Sequence, residues 1–176
     1  MSITNRTPNT IILHARDDSR TVKDGQAAAP ITPGELVEIA GENASATVEH
    51  DLQPHGTAPS TDTEGSAMPR FAVEYAKAGK GIDDDYAAGD HVEYRTFQTG
   101  EEPYAWLAAG ESVTPDDPLE SAGNGALQLH DGAATTGDGT GGGTETVYGG
   151  AVVAHATEAV DNSGGTDPVR VRVEVK

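Results

Sequence analysis

The sequence predicts an all-β protein, a small β-barrel or sandwich with long polar loops and an extended N-terminal arm. Three observations carry this. Glycine accounts for 22 of 176 residues, whereas hydrophobic residues make up 35% and aromatics 5%; such a composition favours many turns over thick helices. Apolar residues recur with a period of two in short runs, most strictly in Val169-Arg-Val-Arg-Val-Glu-Val175. Turn signals divide these runs: glycine-acid pairs, Pro115-Asp116-Asp117-Pro118 and Asn124-Gly125. A chain of this length forms one domain, or one domain with an arm, and can bury a real core.

Residues 1–33 read as the arm. Ser2 to Thr10 is polar, Ile11-Ile12-Leu13-His14 is a short apolar strand, Asp17 to Gly25 is a charged turn, and Gln26 to Pro30 is a loose connector. Four of the 11 basic residues fall here, Arg6, Arg16, Arg20 and Lys23. One reading is an arm that reaches across an acidic neighbour, and the other is a frayed terminus.

The barrel or sandwich domain spans residues 34–176. It opens with Gly34-Glu-Leu-Val-Glu-Ile39, where Leu36 is out of phase with Val37 and Ile39. A second strand is expected from Ala44 to Val48. A loop over 53–69, rich in Pro, Gly, Ser and Thr, reads as too polar for a core. Arg70 to Lys77 reads as a strand with Phe71, Val73 and Tyr75 on one face, and His91 to Phe97 as another with Val92, Tyr94 and Thr96 together. From Tyr104 to His130 the pattern is a meander: strand, turn at Gly110, return at Val113, turn at Asp116-Asp117, strand at Leu119, hairpin at Asn124-Gly125, and a last strand to His130. Asp131 to Gly150 carries 8 glycines in 20 residues and gives a second long loop, 131–146. Ala151 to Val160 favours a strand because glycines precede it and a turn comes after it. The phrase Gly-acid-x-Val occurs three times, at Gly34 to Val37, Gly89 to Val92 and Gly110 to Val113. In it the glycine turns the chain, the acid stays in water and the valine enters the core.

The formal charge is −18, from 29 acids against 11 bases, and no lysine or arginine lies between Thr96 and Val169. Concentrated salt would screen the self-repulsion, so we read the chain as halophilic, with a merely soluble acidic protein as the alternative. The charge speaks against direct binding of nucleic acid or an anionic membrane, which needs clustered Lys and Arg. With no cysteine, disulfides, zinc thiolates and thiol catalysis are absent together. The start MSITNRTPNT has no apolar signal segment and no run is long enough to span a membrane. Synthesis in the host cytoplasm is therefore expected.

Candidate chemistry is thin, and neither a catalytic residue, a cofactor nor a metal site is predicted. Gly137 to Gly142 matches G-x-G-x-x-G, but the next residues, Gly143-Thr-Glu-Thr-Val-Tyr-Gly-Gly150, open a helix poorly, so a loop is the better reading. Asp83-Asp84-Asp85, Asp90 and Asp116-Asp117 offer hard oxygen ligands without an EF-hand register, and solvated acid runs account for them. The six histidines form no i, i+4 pair. No serine stands in G-x-S-x-G. Trp106, the only tryptophan, reads as core, with an interface anchor as its second reading.

Gly110-Glu111-Ser112-Val113, then Asp117-Pro118-Leu119, then Gly125-Ala126-Leu127, resembles a signature of capsid decoration (cement, or head-stabilising) proteins of tailed double-stranded DNA viruses. The ending, Gly149 to Ala154, Glu158-Ala159 and the strand Val169 to Val175, also looks like that family's closing hairpin. The resemblance covers roughly the C-terminal half. It implies a structural virion protein on the capsid exterior, which binds the major capsid protein and stabilises contacts between its subunits. It further implies self-association as a homotrimer and no enzymatic activity. The acidity adds a haloarchaeal host. Gly110, Val113, Asp117, Leu119, Gly125 and Leu127 would form the structural turn motif. Arg6, Ile11, Ile12, Leu13, Arg16 and Arg20 would form a capsid-contacting arm that adds a strand to a neighbour. The loops at 53–69 and 131–146 depart from the family pattern. The alternative is a surface-projecting carbohydrate- or receptor-binding module, marked by an exposed aromatic platform. A hydrolase comes third and would need convergent Asp, His or Ser groups in a cleft.

Overall fold

The strict alternation of valines near the C-terminus builds one wall of a closed barrel. The computed structural model describes residues 7–15, 22–44, 48–56, 67–130 and 152–176, and the backbone alone of 134–137 and 144–147. Its strands are β1 (Ile12–His14), β2 (Lys23–Ala27), β3 (Val37–Glu42), β4 (His50–Pro54), β5 (Arg70–Ala72), β6 (His91–Thr96), β7 (Glu102–Leu107), β8 (Ser112–Val113), β9 (Pro118–Ser121), β10 (Leu127–Leu129), β11 (Ala134–Gly137), β12 (Thr144–Val147), β13 (Ala154–Ala156), β14 (Val160–Asp161) and β15 (Val169–Val175). The all-β expectation holds, and a single 3-10 turn at Ala76–Ala78 is the one helical element among the described residues.

In the C-terminal half, β7 pairs with β10, β10 with β9, β9 with β13, β13 with β15, and β15 returns to β7. The ring is closed with five strands, so no edge is left between them. Within this ring only the β10–β7 pairing is parallel. Its interior holds Ala105, Leu107, Val113, Leu119, Leu127, Val153, Ala154, Ala156, Val171, Val173 and Val175, together with Leu36, Phe71 and Phe97 from the other half. Small aliphatic residues fill so narrow a barrel, which is why few aromatics suffice. Phe71 and Phe97 meet edge to face, ring centroids 5.6 Å apart.

The N-terminal half is a five-stranded sheet in the order β3-β4-β2-β6-β5. Its two outer strands are joined by a bridge between Leu36 and Phe71, supported by Ala72 N–H to Glu35 O at 3.0 Å. A second core of Ala27, Ile31, Val37, Leu52, Ala72, Tyr86, Val92 and Tyr94 lies here. The out-of-phase Leu36 is explained by these two cores. Leu36 enters the barrel core and Val37 the sheet core, so consecutive residues on opposite faces are both buried. Phe71, Ala72 and Val73 divide in the same way among three cores.

Several boundaries differ from the sequence expectation. Residues 23–33, assigned to the arm, belong to the fold: β2 lies inside the sheet between β4 and β6, and Ile31 is buried. Charged and polar residues in β2 hid a strand whose remaining positions, Gly25 and Ala27, are small. The expected second strand at 44–48 falls partly outside the described residues, and the strand itself is β4 at His50–Pro54. The start of the 53–69 loop is likewise buried, with Gln53 4% and His55 5% exposed, because their polar atoms find partners inside the fold. The strand expected over 70–77 ends at Ala72, and Gly79 at φ +77° closes the 3-10 turn after it. Ile39 loses its inward phase at a bulge before Gly41 and is 41% exposed.

Candidate functional site at the junction of the two halves

The first of the Gly-acid-x-Val phrases forms the seam between sheet and barrel. Gly34 has φ +92°, and a Cβ there would stand 2.7 Å from the carbonyl of Tyr104 and against Nη1 of Arg170. Glycine is required twice over, for conformation and for space. Arg170, on the outward face of β15, reaches back across the seam. Its Nη1 donates to Pro33 O at 2.8 Å, its Nη2 donates to Ile82 O and lies 3.5 Å from an Asp83 carboxylate oxygen, and its guanidinium stacks 4.0 Å from the Trp106 ring. Trp106, half-buried, donates its indole N–H to the same Pro33 carbonyl at 3.0 Å. The basic outer face of the last strand thus meets partners within the chain: Arg172 pairs with Glu158 at 3.6 Å.

Glu35, expected to stay in water, is half-buried. Burial pushes its carboxyl up to about 7, with Asp85 adding to the rise, while the Thr32 N–H (2.9 Å to Oε2) and Arg170 draw it down. Beside it opens a cavity of about 250 Å³ lined by Thr32, Glu35, Trp106, Asn124, Ala126 and Pro168.

A second junction brings together a serine, a histidine and an acid that no sequence spacing revealed. His55 Nδ1 lies 2.7 Å from Ser121 Oγ, and His55 Nε2 lies 4.0 Å from a Glu38 oxygen. These residues are 66 and 17 positions from His55 in the chain; the β3–β4 pairing brings Glu38 to it, and the hairpin whose Gly125 N–H donates to His55 O at 3.1 Å brings Ser121. Ser121 is fully buried and His55 nearly so. The serine meets Nδ1 rather than the ring nitrogen opposite the acid, and 4.0 Å exceeds a hydrogen bond. The set is a polar clasp, and a substrate cannot reach the hydroxyl. A buried ion pair between Arg95 and Glu101, 2.6 Å apart and both inaccessible, was equally invisible to sequence spacing.

The six turn-motif residues lie in the barrel. Gly110 turns at φ +87° and Gly125 at φ +83°, the latter pressed so close to Pro54 that a Cβ would stand 2.9 Å away. Asp117 accepts from Thr114 N–H at 2.7 Å, while the neighbouring Asp116 takes φ +75°. Val113, Leu119 and Leu127 meet in one core. Of the arm residues, Ile11 is buried and its N–H donates to Glu74 at 3.0 Å. Ile12 and Leu13 lie in β1, which pairs with the chain's own β7. Their strand is thus added within the chain, whereas a neighbour was expected to receive it. A cavity of about 370 Å³ flanks it, lined by Ile12, Leu13, Ala15 and Arg95. Arg6, Arg16 and Arg20 lie outside the described residues, as do most of the two predicted loops. Among the described residues no three His, Asp or Glu side chains gather as a metal site, and no helix is long and apolar enough to cross a membrane.

No protein-family model matches the chain, and no curated protein sequence matches it. Among solved structures it is similar to the N base of the head fiber protein gp8.5 of bacteriophage phi29, with a TM-score of 0.48 and 11% identity, over 89% of this chain and 93% of that one.

Proposed function

We propose that this chain is a structural virion protein that binds the outer surface of an icosahedral, tailed-virus capsid and braces neighbouring major capsid protein subunits. The observation that carries the reading is the use made of the resemblance motif. All six of its residues serve the turns or the core of one closed barrel, and none presents a reactive group to solvent. The rigid barrel supplies a scaffold, and the strongly acidic exterior suits a particle in high salt. Binding would bury interface area across subunit junctions, and mass action would then favour the assembled shell. A homotrimer places three copies around a local three-fold axis. Because Ile11 to Leu13 are engaged within the chain, Arg6, Arg16 and Arg20 are the residues of the expected arm left to reach a neighbour.

The reading as a carbohydrate- or receptor-binding module depends on an exposed aromatic platform. Every described aromatic is buried or half-buried, so no exposed platform forms among the described residues, and half-buried Trp106 lines a cavity instead.

Co-sedimentation with shells stripped of decoration protein, in multimolar salt, tests the proposal. Saturable binding at a fixed ratio to the capsid protein, weakened by deleting residues 1–9, is the expected result. Absence of binding by a folded protein would overturn it.

A further inference from the structure

The cavity beside Trp106 brings apolar surface and uncommitted hydrogen-bonding groups to the same space, and the capsid reading makes no use of it. Its apolar wall is Trp106, Ala126 and Pro168, and its polar groups are Thr32, Glu35 and Asn124. Asn124 uses its Oδ1 to accept from Ala126 N–H at 3.1 Å, which points no further than the hairpin, and its amide nitrogen has no partner among the described residues. Glu35 engages Oε2 with Thr32 N–H and leaves Oε1 without a hydrogen bond there. Thr32 gives its hydroxyl proton to Asp85 at 2.8 Å and keeps acceptor capacity. The volume of about 250 Å³ lies just under the roughly 300–1,000 Å³ of pockets for drug-sized ligands, so it fits one small ring.

We propose that this cavity binds a single neutral sugar ring. A pyranose has an apolar C–H face and a rim of hydroxyls, which matches an aromatic and aliphatic wall opposite an amide, a carboxyl and a hydroxyl. Anionic ligands are disfavoured by Asp83, Asp85 and the net charge of −18, and Arg170 is already engaged with backbone carbonyls and Asp83. Cationic ligands meet the guanidinium already stacked 4.0 Å from the indole. The raised Glu35 carboxyl, near 7, lets that group donate as well as accept.

Trp106 is the only tryptophan, so its fluorescence reports on the cavity directly. The full chain is titrated with the methyl glycosides of glucose, galactose, mannose and N-acetylglucosamine, with glucuronate and glucosamine as charged counterparts. The expected result is a saturable change at millimolar concentration with at least one neutral glycoside. Asn124→Asp keeps the acceptor for Ala126 and removes the free donor, and it weakens binding about tenfold, as for one lost hydrogen bond. Asn124→Ala, which removes donor and turn bond together, serves should the aspartate variant fail to fold. Leu129→Ala, on the barrel away from the cavity lining, leaves binding unchanged. No saturable response to any neutral glycoside, in fluorescence and in saturation-transfer NMR, overturns the proposal. So does a stronger response to glucuronate or glucosamine, or a change that tracks protein concentration alone, which would mean that a second copy fills the cavity. The titration uses free protein, so its outcome is independent of the capsid assay.

Discussion

Replacing Glu35 by glutamine should stabilise the protein above neutral pH and do little below pH 4.5. The carboxyl sits at the seam between sheet and barrel, and burial is the largest cause of its rise from 4.5 to about 7, ahead of the opposing bond from Thr32. The sign comes from proton counting. Below about 4 both folded and unfolded chains hold the proton. Between 4.5 and 7 the unfolded chain has lost it and the folded chain keeps it, so stability falls as pH rises through this window and levels off above it. With part of the carboxyl still touching water, the full cost is about 1–3 kcal/mol at pH 8. Glutamine keeps an oxygen to accept from Thr32 and carries no charge to bury. Urea denaturation of both proteins from pH 4 to 8 gives the difference directly, and the histidines, common to both, cancel from it. A stability difference that stays constant across this range would refute the reasoning, because the burial of charge at this seam would then cost nothing.

Three further outcomes are expected. Gly34→Ala should destabilise by at least about 3 kcal/mol, through its φ of +92° and the 2.7 Å approach to the Tyr104 carbonyl. Gly110→Ala, with φ +87° and open space around it, should cost about 1–2 kcal/mol; thermal melts that rank the two equally would contradict this. Ser121→Ala leaves the Nδ1 of buried His55 and the Gly123 N–H without their partner, at a cost of about 1–3 kcal/mol in chemical denaturation. Raising KCl from millimolar to molar should raise the melting temperature by screening the charge of −18, and a falling temperature would count against a high-salt protein.

How much of this was legible can be seen in single elements. The strand at Val169–Val175 was readable to the residue, since four valines alternating with charged side chains have one way to bury their apolar face in a strand. The thrice-used Gly-acid-x-Val phrase was equally readable. Its glycines lie at φ +92°, +91° and +87°, and Val37, Val92 and Val113 are all buried. The fate of its acids was not, because whether Glu35 meets water depends on Arg170 and Trp106, which arrive from strands far along the chain. β2 was missed since a strand of small, polar and charged residues carries no periodic signal and is held by its neighbours on both sides.

Local propensity and patterning therefore decided the class of the protein: short strands, sharp turns, a narrow aliphatic barrel and an acidic exterior. These arise from each residue's own backbone and solvent preferences, which act over a few positions. Closure of the ring, the division of Leu36 and Val37 between two cores, the His55–Ser121 clasp and the cavity at Trp106 were settled by long-range pairing. Burial and charge shifts at those places come from residues dozens of positions apart, and no spacing in a linear chain records which of them will meet.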